Sequence, residues 1–214
     1  GKIDARRVYA ANFENDIFYK IDRAQYKPIS IHLSIDGSGS MQGEKWDQVL
    51  INTVALGYVS LHMQNIDLTI SIRTTGKDPS LSSKTAHIPL LILAFDSKKH
   101  TLSDLKKLAY FKVSGLTPEG MCLNALNQYI PSSSYYLDSY LINMSDGYPT
   151  FESTKGLKYK GKEAILDTAK AVKNIKKKGV KILSYFIQSK TTLFKEKELN
   201  ENFQIMYGKE ASFI

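Results

Sequence analysis

Two apolar runs in this chain stop in the same way, and that repetition limits the fold more than any other feature. Residues 29–36, Ile-Ser-Ile-His-Leu-Ser-Ile-Asp, alternate apolar and polar as a strand does, then end on a Gly-rich turn, Asp36-Gly37-Ser38-Gly39-Ser40. Residues 140–145 form a second apolar run, which ends on Asp146-Gly147. Between Glu44 and about Gln64, Trp46, Val49, Leu50, Val54, Leu56 and Leu61 fall at helical spacing, so strand, loop and long helix follow one another as a βα unit.

The rest of the chain repeats that alternation. Residues 68–74 and 88–95 read as strands, joined by a polar stretch with Gly76, Pro79 and a serine cluster, and able to pair as a hairpin. Residues 103–111 read as a short helix. A loop carrying Gly115, Thr117, Pro118 and Gly120 leads into another helix, ending near Ile130. Residues 162–178 form an amphipathic helix, with Ala164, Ile165, Ala169, Val172 and Ile175 on one side and Gly179 as its stop. A buried strand over 180–187, a short helix over 194–202 and an edge strand over 211–214 complete the series. Such alternation predicts an α/β fold: a Rossmann-like, doubly wound, mostly parallel central sheet with one antiparallel edge and helices on both faces. Ligands of these sheets bind at the carboxyl ends of the strands, where the strand order reverses.

Length and composition agree with one such domain. At 214 residues the chain can bury roughly 70% of its unfolded surface in a single core, and its 43% apolar and 23% charged residues are ordinary for a globular protein. We expect an arm or linker over 1–28 and the domain over 29–214. The first residue is Gly rather than Met, the expectation for part of a longer chain with flanking domains. Cys122 is the sole cysteine, no signal-peptide pattern opens the chain and no apolar run is long enough to cross a bilayer; a cytoplasmic setting and no membrane partner are expected. Of the +8 formal charge, much is local: ten lysines lie between Lys155 and Lys181. Several crowd a helix end, where cations complement the helix dipole, so a solvated helix end is favoured over a polyanion or nucleic-acid site.

Three loops leave the expected carboxyl edge, and each carries hard oxygen donors. Asp36, Ser38 and Ser40 alternate, so their oxygens can face one point while Gly37 and Gly39 let the backbone curl. Thr117 adds a hydroxyl and Asp146 a second carboxylate. Oxygen ligands of this kind suit Mg²⁺ or Mn²⁺; zinc is disfavoured because no His or Cys joins them. With no His or Lys at motif spacing to act as a base, the set describes a binding site rather than a hydrolytic one. Each residue also has a plainer reading. Asp36-Gly37 alone is a hairpin-turn signal, Thr117 is placed to cap the next helix with Pro118 in its first turn, and Asp146 before Gly147 fits a turn. His32, His62, His87 and His100 are scattered and read as structural, and Trp46 and Tyr58 read as core.

Asp-Gly-Ser-Gly-Ser-Met at 36–41, Thr117 in Gly-Leu-Thr-Pro-Glu-Gly and Asp146 in Ser-Asp-Gly together resemble the metal-ion-dependent adhesion site of von Willebrand factor A (VWA) domains, and the resemblance spans roughly residues 17–214. It implies that Ser38, Ser40 and Thr117 supply hydroxyls, that Asp36 and Asp146 act largely through water, and that a partner protein offers an Asp or Glu carboxylate to the ion. Within the family, Ile17-Phe18-Tyr19-Lys20, the run at 141–149 and the run at 180–187 are similar to the T subunit of aerobic cobaltochelatase and its bacterial and phage relatives. That likeness implies an AAA+ ATPase partner and a subunit of a metal chelatase rather than an enzyme in its own right; a phage or viral structural interaction protein is the alternative beside the polyanion-binding module.

Overall fold

The computed structural model describes residues 2–3, 18–19, 26–77, 87–152, 158–187, 196–208 and 211–213. Most of the expected arm, the 78–86 connection with Pro79, Lys155, Phe194 and Ile214 lie outside the described residues. A two-stranded antiparallel ladder joins β1 (Lys2–Ile3) to β2 (Phe18–Tyr19).

Among the described residues the central sheet has six strands. In chain order they are β3 (Ile29–Asp36), β4 (Ile66–Lys77), β5 (His87–Asp96), β6 (Asp138–Ser145), β9 (Lys181–Phe186) and β10 (Ser212–Phe213). In space they run β10-β9-β6-β3-β4-β5, all parallel except β5, which lies antiparallel on β4. The fold class read from the sequence is therefore the one observed, and the expected hairpin is the antiparallel edge. The chain steps from β3 to β4 on one side and later to β6 on the other, so the strand order reverses between β3 and β6, with Asp36 at the carboxyl end of one and Asp146 just past the other.

Helices cover both faces. On one, α1 (Glu44–His62), α2 (Leu102–Lys106) and a 3₁₀ turn over Lys107–Tyr110 enclose Leu33, Ile35, Trp46, Val49, Leu68, Ile70, Ile72 and Phe95. On the other, α3 (Glu119–Leu126), α4 (Gly161–Lys176) and α5 (Glu196–Tyr207) pack Leu123, Leu126, Leu141, Val172, Ile175 and Phe203 against β6 and β9. A small hairpin, β7 (Phe151–Glu152) with β8 (Lys158–Tyr159), has no counterpart in the sequence reading.

Several expectations need adjusting. The helix expected over 103–111 is one α-helical turn plus a 3₁₀ turn, and the one expected to reach Ile130 ends at Leu126. The last helix runs on to Tyr207, because Phe203, Met206 and Tyr207 bury against the sheet. Tyr58, read as core, is 50% exposed on α1, whereas Trp46 is buried as expected and meets the Phe111 ring at 5.5 Å. Polar residues of β3 that alternation would put toward water are buried too, since a central strand has helices on both sides. His32 is within 2.9 Å of Ser71 Oγ, and Arg73 donates to Ser34 Oγ at 2.6 Å. His62 and His100 each meet a neighbouring backbone atom and a nearby aromatic ring, Tyr58 and Phe95 respectively, in line with structural roles.

Candidate metal centre

The loop after β3 is held rigidly before any side chain is considered. Gly37 donates its N–H to the Arg73 carbonyl (2.7 Å), Gly39 to the Gly115 carbonyl (3.1 Å), and Ser114 donates back to Gly37 (2.9 Å). Met41, fully buried, anchors the 3₁₀ turn Gly39–Met41 in the core. The second loop is stitched to the third by a reciprocal pair, Thr117 N–H to Thr150 O and Thr150 N–H to Thr117 O, both 2.9 Å. Three loops distant in sequence thus form one backbone-bonded platform.

On that platform the five expected residues meet. Asp36 lies at the floor, 0% exposed; its Oδ1 accepts the Ser38 N–H (2.9 Å), and its Oδ2 accepts from Thr117 Oγ1 (3.4 Å) and Ser145 Oγ (3.3 Å). Ser38 Oγ and Ser40 Oγ share a hydrogen bond of 2.9 Å, and Ser40 Oγ donates to Asp146 Oδ1 at 2.7 Å. The chain of contacts rises from buried Asp36 to exposed Ser40 at the rim, and no expected residue falls outside it. Thr117 does not cap α3: Pro118 holds the cap position, with no side-chain cap bond, and Thr117 is engaged in its bridge to Thr150.

Four contributors were not read from the sequence. Ser145 reaches Asp36 because it is the last residue of β6. Lys45, in the first turn of α1, puts its ammonium 2.5 Å from Asp146 Oδ2, so a lysine does stand at the site, as an ion-paired cation rather than a base. Beneath the floor, Arg73 pairs with Glu119 at 2.9 Å, both side chains fully buried. Glu119 belongs to the Thr-Pro-Glu-Gly run and Arg73 interrupts an apolar strand; a charge in each of those settings was the available signal.

Electrostatics sharpen the picture. Burial pushes the Asp36 carboxyl from 3.8 up to about 6; Arg73 and the Ser38 bonds pull it down, Glu119 up. A carboxylate desolvated to that degree gains by facing a cation. The donors are all oxygens, mostly neutral hydroxyls, which fits Mg²⁺ or Mn²⁺ retaining some water and does not fit zinc. Among the described residues no group of three or more His, Cys, Asp or Glu gathers to hold a metal, and this set itself brings two carboxylates, the rest being hydroxyls. Cys122 takes no part: burial raises its thiol to about 11.

No protein-family model matches the sequence, and no curated protein matches it. Solved structures do. The vWF domain of the type V pili tip protein Mfa5 from Porphyromonas gingivalis superposes with a TM-score of 0.61 at 11% identity, covering 89% of this chain and 90% of that one. The fold is VWA-like. The pilus adhesin SpaC from Lactobacillus rhamnosus GG shares it (TM-score 0.61, 13% identity), over 88% of this chain but only 28% of SpaC. So does the PilB minor pilin from Streptococcus sanguinis (TM-score 0.56, 15% identity), over 92% of this chain and 59% of PilB. The present chain therefore spans under a third of SpaC. No helix among its described residues is long and apolar enough to cross a membrane.

Proposed function

We propose that this VWA-like domain binds a partner protein through a divalent ion, with Asp36, Ser38, Ser40, Thr117 and Asp146 holding Mg²⁺ or Mn²⁺. The observation that carries the reading is the unbroken path of hydrogen bonds linking all five residues across three loops, with the Ser38 backbone N–H as its step to Asp36. Once bound, the ion supplies an electrophilic coordination position that takes an Asp or Glu carboxylate of the partner. The protein's own part is to fix the hydroxyls, to keep Asp36 dry and to hold two loops against the first.

The names of the structural neighbours, pilus adhesins and a pilus tip protein, favour an adhesive role. The 141–149 and 180–187 runs favour an adaptor to an AAA+ ATPase in a cytoplasmic, cobaltochelatase-like complex. Both use the same ion-mediated contact. A polyanion-binding role is weaker, because the basic cluster is partly spent within the fold: Lys176 donates to the Tyr207 carbonyl at 3.0 Å, and Lys178 to the Asn127 carbonyl at 2.7 Å and the Ile130 carbonyl. Isothermal titration with Mg²⁺ tests the proposal. Uptake by the wild type that is lost in Asp36→Ala supports it, and absence of uptake by the wild type removes it.

A further inference from the structure

Lys45 is the second residue of α1, at the positive end of the helix dipole, where a cation is disfavoured. Its stem nevertheless folds back over the loop after β3, with its side chain 20% exposed, and its ammonium lies 2.5 Å from Asp146 Oδ2 and 3.5 Å from the Ser40 carbonyl oxygen. The Asp146 side chain is fully buried, and its other oxygen takes the Ser40 hydroxyl. Both oxygens of this carboxylate are thus committed, one toward the hydroxyl set and one to a cation of the chain itself.

Charge counting gives the arrangement a purpose. Asp36 and Asp146 bring two negative charges to the platform, and Arg73 and Glu119 beneath it cancel each other. Lys45 cancels one of the two that remain. A divalent ion in such a setting is left undercompensated by the protein: the site holds the ion less tightly, and the ion holds an outside carboxylate more tightly. We infer that Lys45 is a positioning and charge-setting residue, which orients Asp146 and trades affinity for the ion against affinity of the loaded site for an acidic partner. This inference rests on the metal-site reading above, and it names a residue that decides how strongly that site takes an anion.

The test is Lys45→Met, beside Lys45→Arg, read by titration of Mg²⁺ and then of acetate at saturating Mg²⁺. Partly exposed charge pairs of this kind are worth factors of a few in an equilibrium constant. Lys45→Met is expected to bind Mg²⁺ about fivefold more tightly and, once loaded, acetate about fivefold more weakly, with Lys45→Arg within about twofold of wild type on both counts. The opposite signs matter, because a residue that merely props up the loop would weaken both affinities together. Unchanged Mg²⁺ affinity in Lys45→Met, or a fall in both affinities, overturns the role of Lys45 while leaving the metal site intact. Failure of wild type and variant alike to take up Mg²⁺ overturns the metal site, and this inference with it.

Discussion

The Arg73 guanidinium and the Glu119 carboxylate are 2.9 Å apart with both side chains fully buried, joining β4 to the first turn of α3 directly below Asp36. Arg73 also donates to Ser34 Oγ at 2.6 Å and to the Met144 carbonyl at 3.3 Å, so one side chain ties together β3, β4, β6 and α3. Burial alone would lower the guanidinium's pKa, but Glu119, with Tyr207, Asp36 and Cys122 adding to it, outweighs burial and holds Arg73 in its charged form.

Removing one member of that pair leaves the other as an uncompensated buried charge. Glu119→Leu and Arg73→Met are each expected to cost about 3–5 kcal/mol in urea unfolding, and the double variant less than either single one, because two apolar side chains need no partner. Additive losses in the double variant would show that the two groups do not act as a pair.

The two glycines of the first loop are not equivalent. A Cβ on Gly37 would lie 2.5 Å from Ile72 Cγ2, 3.2 Å from Phe111 Cε1 and 3.3 Å from the Arg73 carbonyl oxygen, whereas one on Gly39 would meet only the Gly115 carbonyl at 3.7 Å. Gly37→Ala is expected to cost about 1–3 kcal/mol and to displace the loop, and Gly39→Ala to stay within about 0.5 kcal/mol. Equal melting temperatures for the two variants would contradict this.

The six strands of the central sheet and the five side chains that meet at its carboxyl edge were legible in the sequence because each announces itself locally, by alternation, by Gly-rich turns and by strands that end on aspartate. The Arg73–Glu119 pair, with partners 46 residues apart, was not, since a charge inside an apolar strand does not name its counterion. Lys45 was hidden for a related reason: helical periodicity assigns it to the exposed face of α1, and only the fold brings the loop after β6 within reach of its ammonium. Tyr58 shows the converse error, an aromatic at core-like spacing on a helix long enough to have a face turned to solvent.

His32 gives the chain a dependence on acid. Burial, with Arg73 nearby, lowers its imidazole from 6.5 to about 4. The folded state therefore prefers neutral His32, so this contribution to stability is whole above about pH 6.5 and is lost as pH falls toward 4. Asp36 works in the opposite sense. Its carboxyl is raised to about 6, so its burial penalty is full above that pH and relaxes on acidification. Comparing variants separates the two. With EDTA present, wild type should lose roughly 2–3 kcal/mol more than His32→Gln between pH 7 and pH 4.5. Parallel urea curves for the two proteins at both pH values would show that His32 titrates as it does in the unfolded chain.

Ion binding and polyanion binding separate cleanly in thermal melts. A ligand that binds only the folded state at ten times its dissociation constant adds about 1.4 kcal/mol, worth roughly 2–4 °C for a domain of this size. Mg²⁺ is expected to raise the midpoint of the wild type by that amount, EDTA to reverse it, and Asp36→Ala, which removes the floor of the site, to abolish it. Asp146→Asn should retain a smaller shift, because the amide keeps an oxygen for the Ser40 hydroxyl while losing the charge. If instead the basic cluster were the working surface, stabilisation would come from DNA or heparin, would fall steeply between 50 and 200 mM salt, and would ignore EDTA. A wild-type midpoint that Mg²⁺ leaves unmoved but heparin raises would transfer the function from the three loops to α4 and its C-terminal cap, where Lys170, Lys173 and Lys177 make no charge pair among the described residues.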